Sequence, residues 1–245
     1  MIESPRAVVL AAGQGSRLMP LTAECPKSML AVAGEPLLLR TLGQLQRAGF
    51  ESISVVVGYR GDSIVRALEP RFPAARVIDN TRFAEDVNIL SLLMGLGDSD
   101  TPTLVVEADV AFDDQALPRV SAACNEESVW FTHGPFQRHQ LGGILRTDAA
   151  GRVLDLRYTP RFEPAFASYK KLLGLLYVGP EQMPIFRRRL EQAARRSTQQ
   201  YYMMPWVEHL SELACREVDL APIPAFSFNT VEEYARCQEL FPVAS

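Results

Sequence analysis

The chain predicts an α/β fold, a mixed and mostly parallel sheet with helices on both faces and a lid-like second half. Three observations carry this. Continuous β-branched runs, bounded by glycine or proline, recur at residues 6–12, 52–58 and 101–109, as strands buried on both faces do. Segments with leucines at helical spacing alternate with them through short links. Past residue 115 the pattern changes to consecutive extended segments, so the second half is of a different kind.

Taken in order, "RAVVLAA" (residues 6–12) is the first buried strand, and it runs into a glycine loop. "PLLLRTLGQLQRAG" follows, with Pro36 at the first helical position, Leu38, Leu42 and Leu45 on one face, and Gly49 as the stop. "SISVVVG" is the second strand, "DSIVRALEP" a short helix ended by Pro70, "ARVID" a strand and "NILSLLMGLG" a helix. "TPTLVVEAD" (residues 101–109) is a strand ending in carboxylates. In the second half "SVWFTH", "LGGILRTDAAGRVLDLRY" and "KLLGLLYVG" read as strands, with a hairpin tip at "DAAGR". "PEQMPIFRRRLEQAARR" and "MMPWVEHLSELAC" read as helices, and "REVDLAPI" and "PAFSFN" as extended segments. The last helix, "TVEEYARCQELF", has Thr230 as N-cap and Glu233 completing a capping box.

Composition excludes several classes. An apolar content of 47% supports a sizeable core. A net charge of −4 lacks the basic excess of a nucleic-acid surface, though a pocket for a small anion needs only two or three cations. Cys25, Cys124, Cys215 and Cys237 form no CxxC pair and fit no zinc spacing, so reduced thiols are expected. No stretch is apolar enough to span a membrane or to serve as a signal peptide, which leads us to expect a cytoplasmic protein.

In an alternating sheet, ligands sit beyond the carboxyl ends of the strands. The loops at residues 13–27, 58–60 and 107–109 should therefore converge. "LAAGQGSRLMPLTAECPKSML" (residues 10–30) places glycines and two cations directly after a strand. Glycines let backbone N–H groups approach phosphate oxygens, and successive N–H groups make an anion nest. The loop is neither a Walker A nor a GxGxxG, since Leu18 stands where the last glycine would be.

The stretch as a whole resembles the signature of the nucleoside-triphosphate transferases (MobA-like), which include the sugar-1-phosphate nucleotidyltransferases and the CTP:phosphocholine cytidylyltransferases. That resemblance implies a Rossmann-like fold of the nucleotide-diphospho-sugar transferase type. It implies one domain over residues 1–245, with 1–114 binding the nucleotide and 115–245 the acceptor. Leu10, Ala11, Ala12, Gly13, Gly15 and Ser16 would wrap the triphosphate. Arg17 would neutralise the leaving pyrophosphate, and Lys27 would hold the acceptor phosphate and the reacting α-phosphate. "VVVGYRGDSIVRAL", "VIDNTRFAEDVNILSLLMGL" and "LVVEADVAFDD" then resemble the small-acceptor branch more than the sugar enzymes. By that likeness Gly58 and Tyr59 flank the base pocket, and Asn88 and Ser91 belong to the nucleotide pocket.

The implied reaction needs a divalent cation, normally Mg²⁺ on one or two carboxylates. Asp109 matches the metal aspartate. Glu107 replaces the first acid of Asp-x-Asp and either faces the other side or holds a metal-bound water. Near the C-terminus "SFNT" stands where the family has a motif like "EIDT", so Ser227 and Asn229 replace both acids. Asn229 either offers a carbonyl oxygen to the metal or is a turn residue ahead of Thr230. The second metal contact is weaker or moves to another acid such as Glu208.

The expected partners are CTP and a small phospho- or phosphonate acid, with no nucleic acid and no membrane, in a monomer or homodimer. "FQRHQLGGILR" lacks the cage tryptophan of phosphocholine enzymes, leaving Phe136, Tyr177, Tyr202 and Trp206 as wall residues. His139, Arg157, Arg161, Lys170 and Lys171 make the acceptor half comparatively basic. The competing readings are a sugar-1-phosphate nucleotidyltransferase using another NTP and a catalytically weakened nucleotide-binding protein.

Overall fold

The computed structural model of the chain describes residues 6–243. From the N-terminus, β1 (Arg6–Ala11) leads through a long loop to a small ribbon of β2 (Ala31–Val32) and β3 (Glu35–Pro36). Then follow α1 (Leu37–Arg47), β4 (Ile53–Val57), α2 (Gly61–Leu68), β5 (Arg76–Asp79), α3 (Ile89–Leu96), β6 (Thr103–Glu107), β7 (Val110–Phe112) and α4 (Ala116–Ala123). The second half supplies β8 (Val129–Pro135), β9 (Gly142–Thr147), β10 (Val153–Thr159), β11 (Lys170–Val178), α5 (Met183–Arg196) and α6 (Met204–Glu208). It ends in β12 (Arg216–Asp219), β13 (Ala225–Ser227) and α7 (Val231–Leu240).

Nine strands form one sheet. Its spine runs β10-β9-β11-β6-β1-β4-β5, with β8 paired to β11 and β12 paired to β8. β6, β1, β4 and β5 are mutually parallel, with Leu10 opposite Val56 on one side and Glu107 on the other. β11 joins antiparallel to β6, setting Leu175 opposite Val106. Successive side chains of a strand point to opposite faces, and the core divides accordingly. Val9, Val55 and Val106 pack under α1, α2 and α4, whereas Val8, Val56 and Val105 pack under α3, α5 and α6. A third cluster joins Leu18 and Leu30 of the glycine loop to Phe228, Cys237 and Phe241 around α7.

The first-half elements stand where the sequence put them, with shifted ends. Pro36 belongs to the β3 ribbon, so α1 begins at Leu37. β6 stops at Glu107 because the chain turns there and returns as β7. The helix expected over residues 203–215 shrinks to five residues, after which the chain forms turns. The second half is less a lid than a continuation, since its strands extend the same sheet through β11. The capping box of α7 is present: Thr230 accepts from the Glu233 N–H, and the Glu233 carboxylate accepts from Thr230. All four cysteines are free. Among the described residues no helix is long and apolar enough to cross a membrane.

Candidate active site

The carboxyl ends of β1, β4 and β6 open on one edge of the sheet, and the glycine loop closes over it. Leu10, Ala11 and Ala12 finish β1 and serve the backbone: the Leu10 carbonyl accepts from Ala108 N–H at 3.1 Å and the Ala12 carbonyl from Tyr59 N–H at 3.0 Å. Gly13 and Ser16 are exposed, and nothing lies within 4 Å of where a Gly13 Cβ would be. Gly15 takes φ +69°, and a Cβ there would meet the Lys27 Cβ at 2.8 Å. The loop therefore needs glycine at 15 to let Lys27 pass beneath it. Leu18 is fully buried, and Thr22 Oγ1 donates to the Gly15 carbonyl at 3.0 Å. The leucine that spoils GxGxxG is thus the anchor that fixes the loop.

Anchoring brings the two cations together. Lys27 is buried, and its Nζ donates to Asp109 Oδ2 at 2.6 Å and to Asn229 Oδ1 at 3.0 Å. Arg17 is exposed, and its Nη2 donates to the same Asn229 oxygen at 2.9 Å. One amide oxygen carries both, using both of its lone pairs. Asn229 thus ties the loop's two cations to the segment ahead of α7. Asp109 Oδ1, in contrast, is buried and has no hydrogen-bond partner. An orphaned carboxylate oxygen at the mouth of a cationic loop is the atom left for a hard cation.

Glu107 lies beside this group and is partly buried. It is accommodated because Gly174, with φ +74°, has no Cβ; one there would come within 2.8 Å of the carboxylate. Burial, and then the charge of Asp109, push the Glu107 carboxyl up to about 7. Tyr202 is buried near it, and burial followed by the charge of Glu107 raises that phenol well above its ordinary value.

The remaining sequence-derived residues divide. Gly58 is required by contact, since a Cβ would strike Phe83 at 2.6 Å and the Ala12 carbonyl at 2.9 Å. The Tyr59 hydroxyl lies 3.1 and 3.0 Å from the Thr22 and Ala23 carbonyls, so it latches the glycine loop. Asn88 Oδ1 accepts from the Tyr202 N–H at 2.8 Å and fixes the segment carrying Tyr202. Ser91 is buried: its hydroxyl donates to Asp86 at 2.7 Å and accepts from Asn80 at 2.9 Å, leaving it inside the fold. Asp86 also accepts from the Leu90 and Ser91 N–H groups and so closes the start of α3.

Glu208 pairs with Arg196 at 2.5 Å. Trp206 and Tyr177 are core residues: the Trp206 indole donates to Cys215 Sγ, and the Tyr177 hydroxyl to the Asn125 carbonyl. Phe136 is buried with Ile144 and Tyr169 in a cluster of its own. His139 is exposed, and Arg157, Arg161 and Lys170 pair with Asp155, Glu163 and Glu217. Lys171 makes no ion pair among the described residues, and the charges of Glu107, Asp109 and Glu233 favour its ammonium against the effect of burial.

A glycine loop bearing two cations over a strand-end carboxylate defines a nucleotide-handling α/β domain. The chain belongs to the family of the MobA-like NTP transferase domain, whose pattern matches residues 7–213. It is similar to a 2-aminoethylphosphonate cytidylyltransferase of Lancefieldella rimae, 32% identical over 155 residues, which are 62% of this chain and 60% of that protein. It is also similar to a CMP-5'-(3-aminopropyl)phosphonate synthase of Streptomyces rubellomurinus, 32% identical over 152 residues, 61% of this chain and 24% of that protein. The matched region thus spans less than two thirds of either relative. In fold it resembles the CTP:phosphocholine cytidylyltransferase of Streptococcus pneumoniae, with a TM-score of 0.82 at 20% identity, covering 97% of this chain and 99% of that one.

Proposed function

We propose that this chain is a cytidylyltransferase that moves CMP from CTP to a small phosphate or phosphonate acid and releases pyrophosphate. The observation that carries the reading is the convergence of Arg17, Lys27 and Asp109 on one strand-end site, with Asp109 Oδ1 buried and uncommitted. The relatives named for cytidylyl transfer to aminoalkylphosphonates support CTP and a small acid over a sugar 1-phosphate. In this reading an acceptor oxygen forms a bond to the α-phosphorus while the bond from that phosphorus to the bridging oxygen breaks. The pyrophosphate leaves with the electron pair. No general base is required, because the acceptor oxygen is already anionic at neutral pH.

The side chains supply positioning and charge. Two of the three N–H groups of Lys27 hold Asp109 and Asn229, and the third remains for an α-phosphate oxygen. Arg17 keeps the rest of its guanidinium for the departing pyrophosphate. The backbone around Gly13 is open to phosphate oxygens. Asp109 fits one Mg²⁺ through its free oxygen, and such an ion would neutralise phosphate charge there.

The test is pyrophosphate release with Mg²⁺, each of the four NTPs, and a panel of 2-aminoethylphosphonate, phosphocholine, phosphoethanolamine and sugar 1-phosphates. Turnover with CTP and a small acid is expected. Turnover confined to another NTP and a sugar 1-phosphate would replace the reading, and no turnover with any pair would sink it.

A further inference from the structure

The acceptor half carries one lysine whose placement neither packing nor pairing explains. Lys170 and Lys171 open β11, which runs antiparallel to β6, so its first residues lie beyond the carboxyl end of β6, where Asp109 sits. Lys170 is fully engaged, with Glu217 at 2.9 Å and Asp219 at 3.3 Å. Lys171 makes two hydrogen bonds, both to main-chain carbonyls, Gly143 at 3.3 Å and Leu172 at 3.1 Å. Among the described residues it forms no ion pair. Glycine makes the room it occupies, since a Cβ at Gly142 would come within 3.2 Å of the ammonium. Burial pulls the Lys171 ammonium below its ordinary value, while Glu107, Asp109 and Glu233 act against that. Its third N–H is uncommitted.

A partly buried ammonium whose hydrogen bonds go only to main-chain carbonyls is costly to keep. A bound anion would offset that cost, and the geometry says which one. The pyrophosphate side of the site is the loop after β1, which carries Arg17. Lys171 stands on the other side of β6, on β11. In-line displacement places the incoming oxygen opposite the leaving group, across the reacting phosphorus. The anion next to Lys171 is therefore the attacking one.

We propose that Lys171 seats the acid group of the acceptor, a phosphonate or phosphate dianion, through the N–H that its two carbonyl partners leave free. This rests on the transferase reading above. It also gives the acceptor a cation separate from Lys27, which Asp109 and Asn229 already engage.

The test is direct binding of 2-aminoethylphosphonate and phosphocholine by titration calorimetry in the presence of saturating CMP, for the wild type, Lys171→Met and Lys171→Gln. CTP affinity and the unfolding midpoint are measured alongside. Losing a charged hydrogen bond should weaken acid binding by ~10-fold or more, with CTP affinity changed by less than ~2-fold. Lys171→Gln keeps a donor for the two carbonyls, so its unfolding midpoint should stay close to wild type and its binding loss reports the missing charge. Equal acid binding by wild type and both variants, or an equal loss of CTP affinity, would overturn the assignment while leaving the transferase reading intact. A wild type that neither binds nor turns over any of the acids would overturn both.

Discussion

Gly15→Ala tests whether the glycine loop is built around Lys27. The substitution adds one methyl group at φ +69°, 2.8 Å from the Lys27 Cβ. An L-residue in the left-handed region costs about 1–2 kcal/mol. The contact adds to this, because ordinary carbon–carbon separations are about 3.5–4.0 Å, and the atom struck is a Cβ fixed to a buried backbone. Lys27 must then shift by roughly half an ångström or more. Its 2.6 Å contact to Asp109 has no slack for that. Misplacement of about 1 Å at a reacting centre can reduce rate by ~10²-fold. The strain alone should lower the unfolding midpoint by about 2–8 °C, at ~2–4 °C per kcal/mol for a chain of this size.

Gly13→Ala is the paired control. Gly13 has no positive φ, and nothing lies within 4 Å of its Cβ position. Its unfolding midpoint should match wild type, while the KM for CTP rises if phosphate oxygens occupy that open space. The assay is steady-state pyrophosphate release together with thermal unfolding for both variants. A Gly15→Ala protein with wild-type kcat/KM and midpoint would refute the reasoning, since the methyl group would then have found room that the structure denies it.

Three further substitutions probe other parts of the site. Lys27→Met removes the donor to Asp109 and Asn229 and should lower kcat by ~10²–10³-fold, read by pyrophosphate release; unchanged turnover would displace Lys27 from the chemistry. Ser91→Ala deletes a buried donor to Asp86 and an acceptor for Asn80. It should cost about 1–2 kcal/mol, seen in the unfolding midpoint, and a change confined to the KM for CTP would return Ser91 to the nucleotide pocket. Asn229→Asp keeps an acceptor for Arg17 and Lys27 and adds a second anionic oxygen beside Asp109. Mg²⁺ binding, followed by calorimetry, should tighten, and weaker binding would show that the neutral amide is what the site requires.

How much of this could be read from the sequence depended on how local each cause was. Gly15, Arg17 and Lys27 lie within thirteen residues, so the resemblance of one short stretch to a known signature carried the loop, and Asp109 was legible because a buried strand ending in a carboxylate marks the open edge of a parallel sheet. The partners of Ser91 and Asn88 were not legible, for the opposite reason. Their side chains answer to Asp86, Asn80 and the Tyr202 backbone, partners that helix periodicity does not reveal. Trp206 and Tyr177 looked equally available to a ligand, yet burial made them core. Lys171 was indistinguishable from Lys170 in composition. Only the assembled sheet, with β11 antiparallel to β6 and irregular against β8, pairs one lysine with Glu217 and leaves the other on the Gly143 and Leu172 carbonyls. The loop after β1 is thus encoded within one short stretch, and the arrangement across β6 by long-range strand pairing. This is why a motif could place the loop after β1, and why the residue facing it across β6 emerged only once the sheet was assembled.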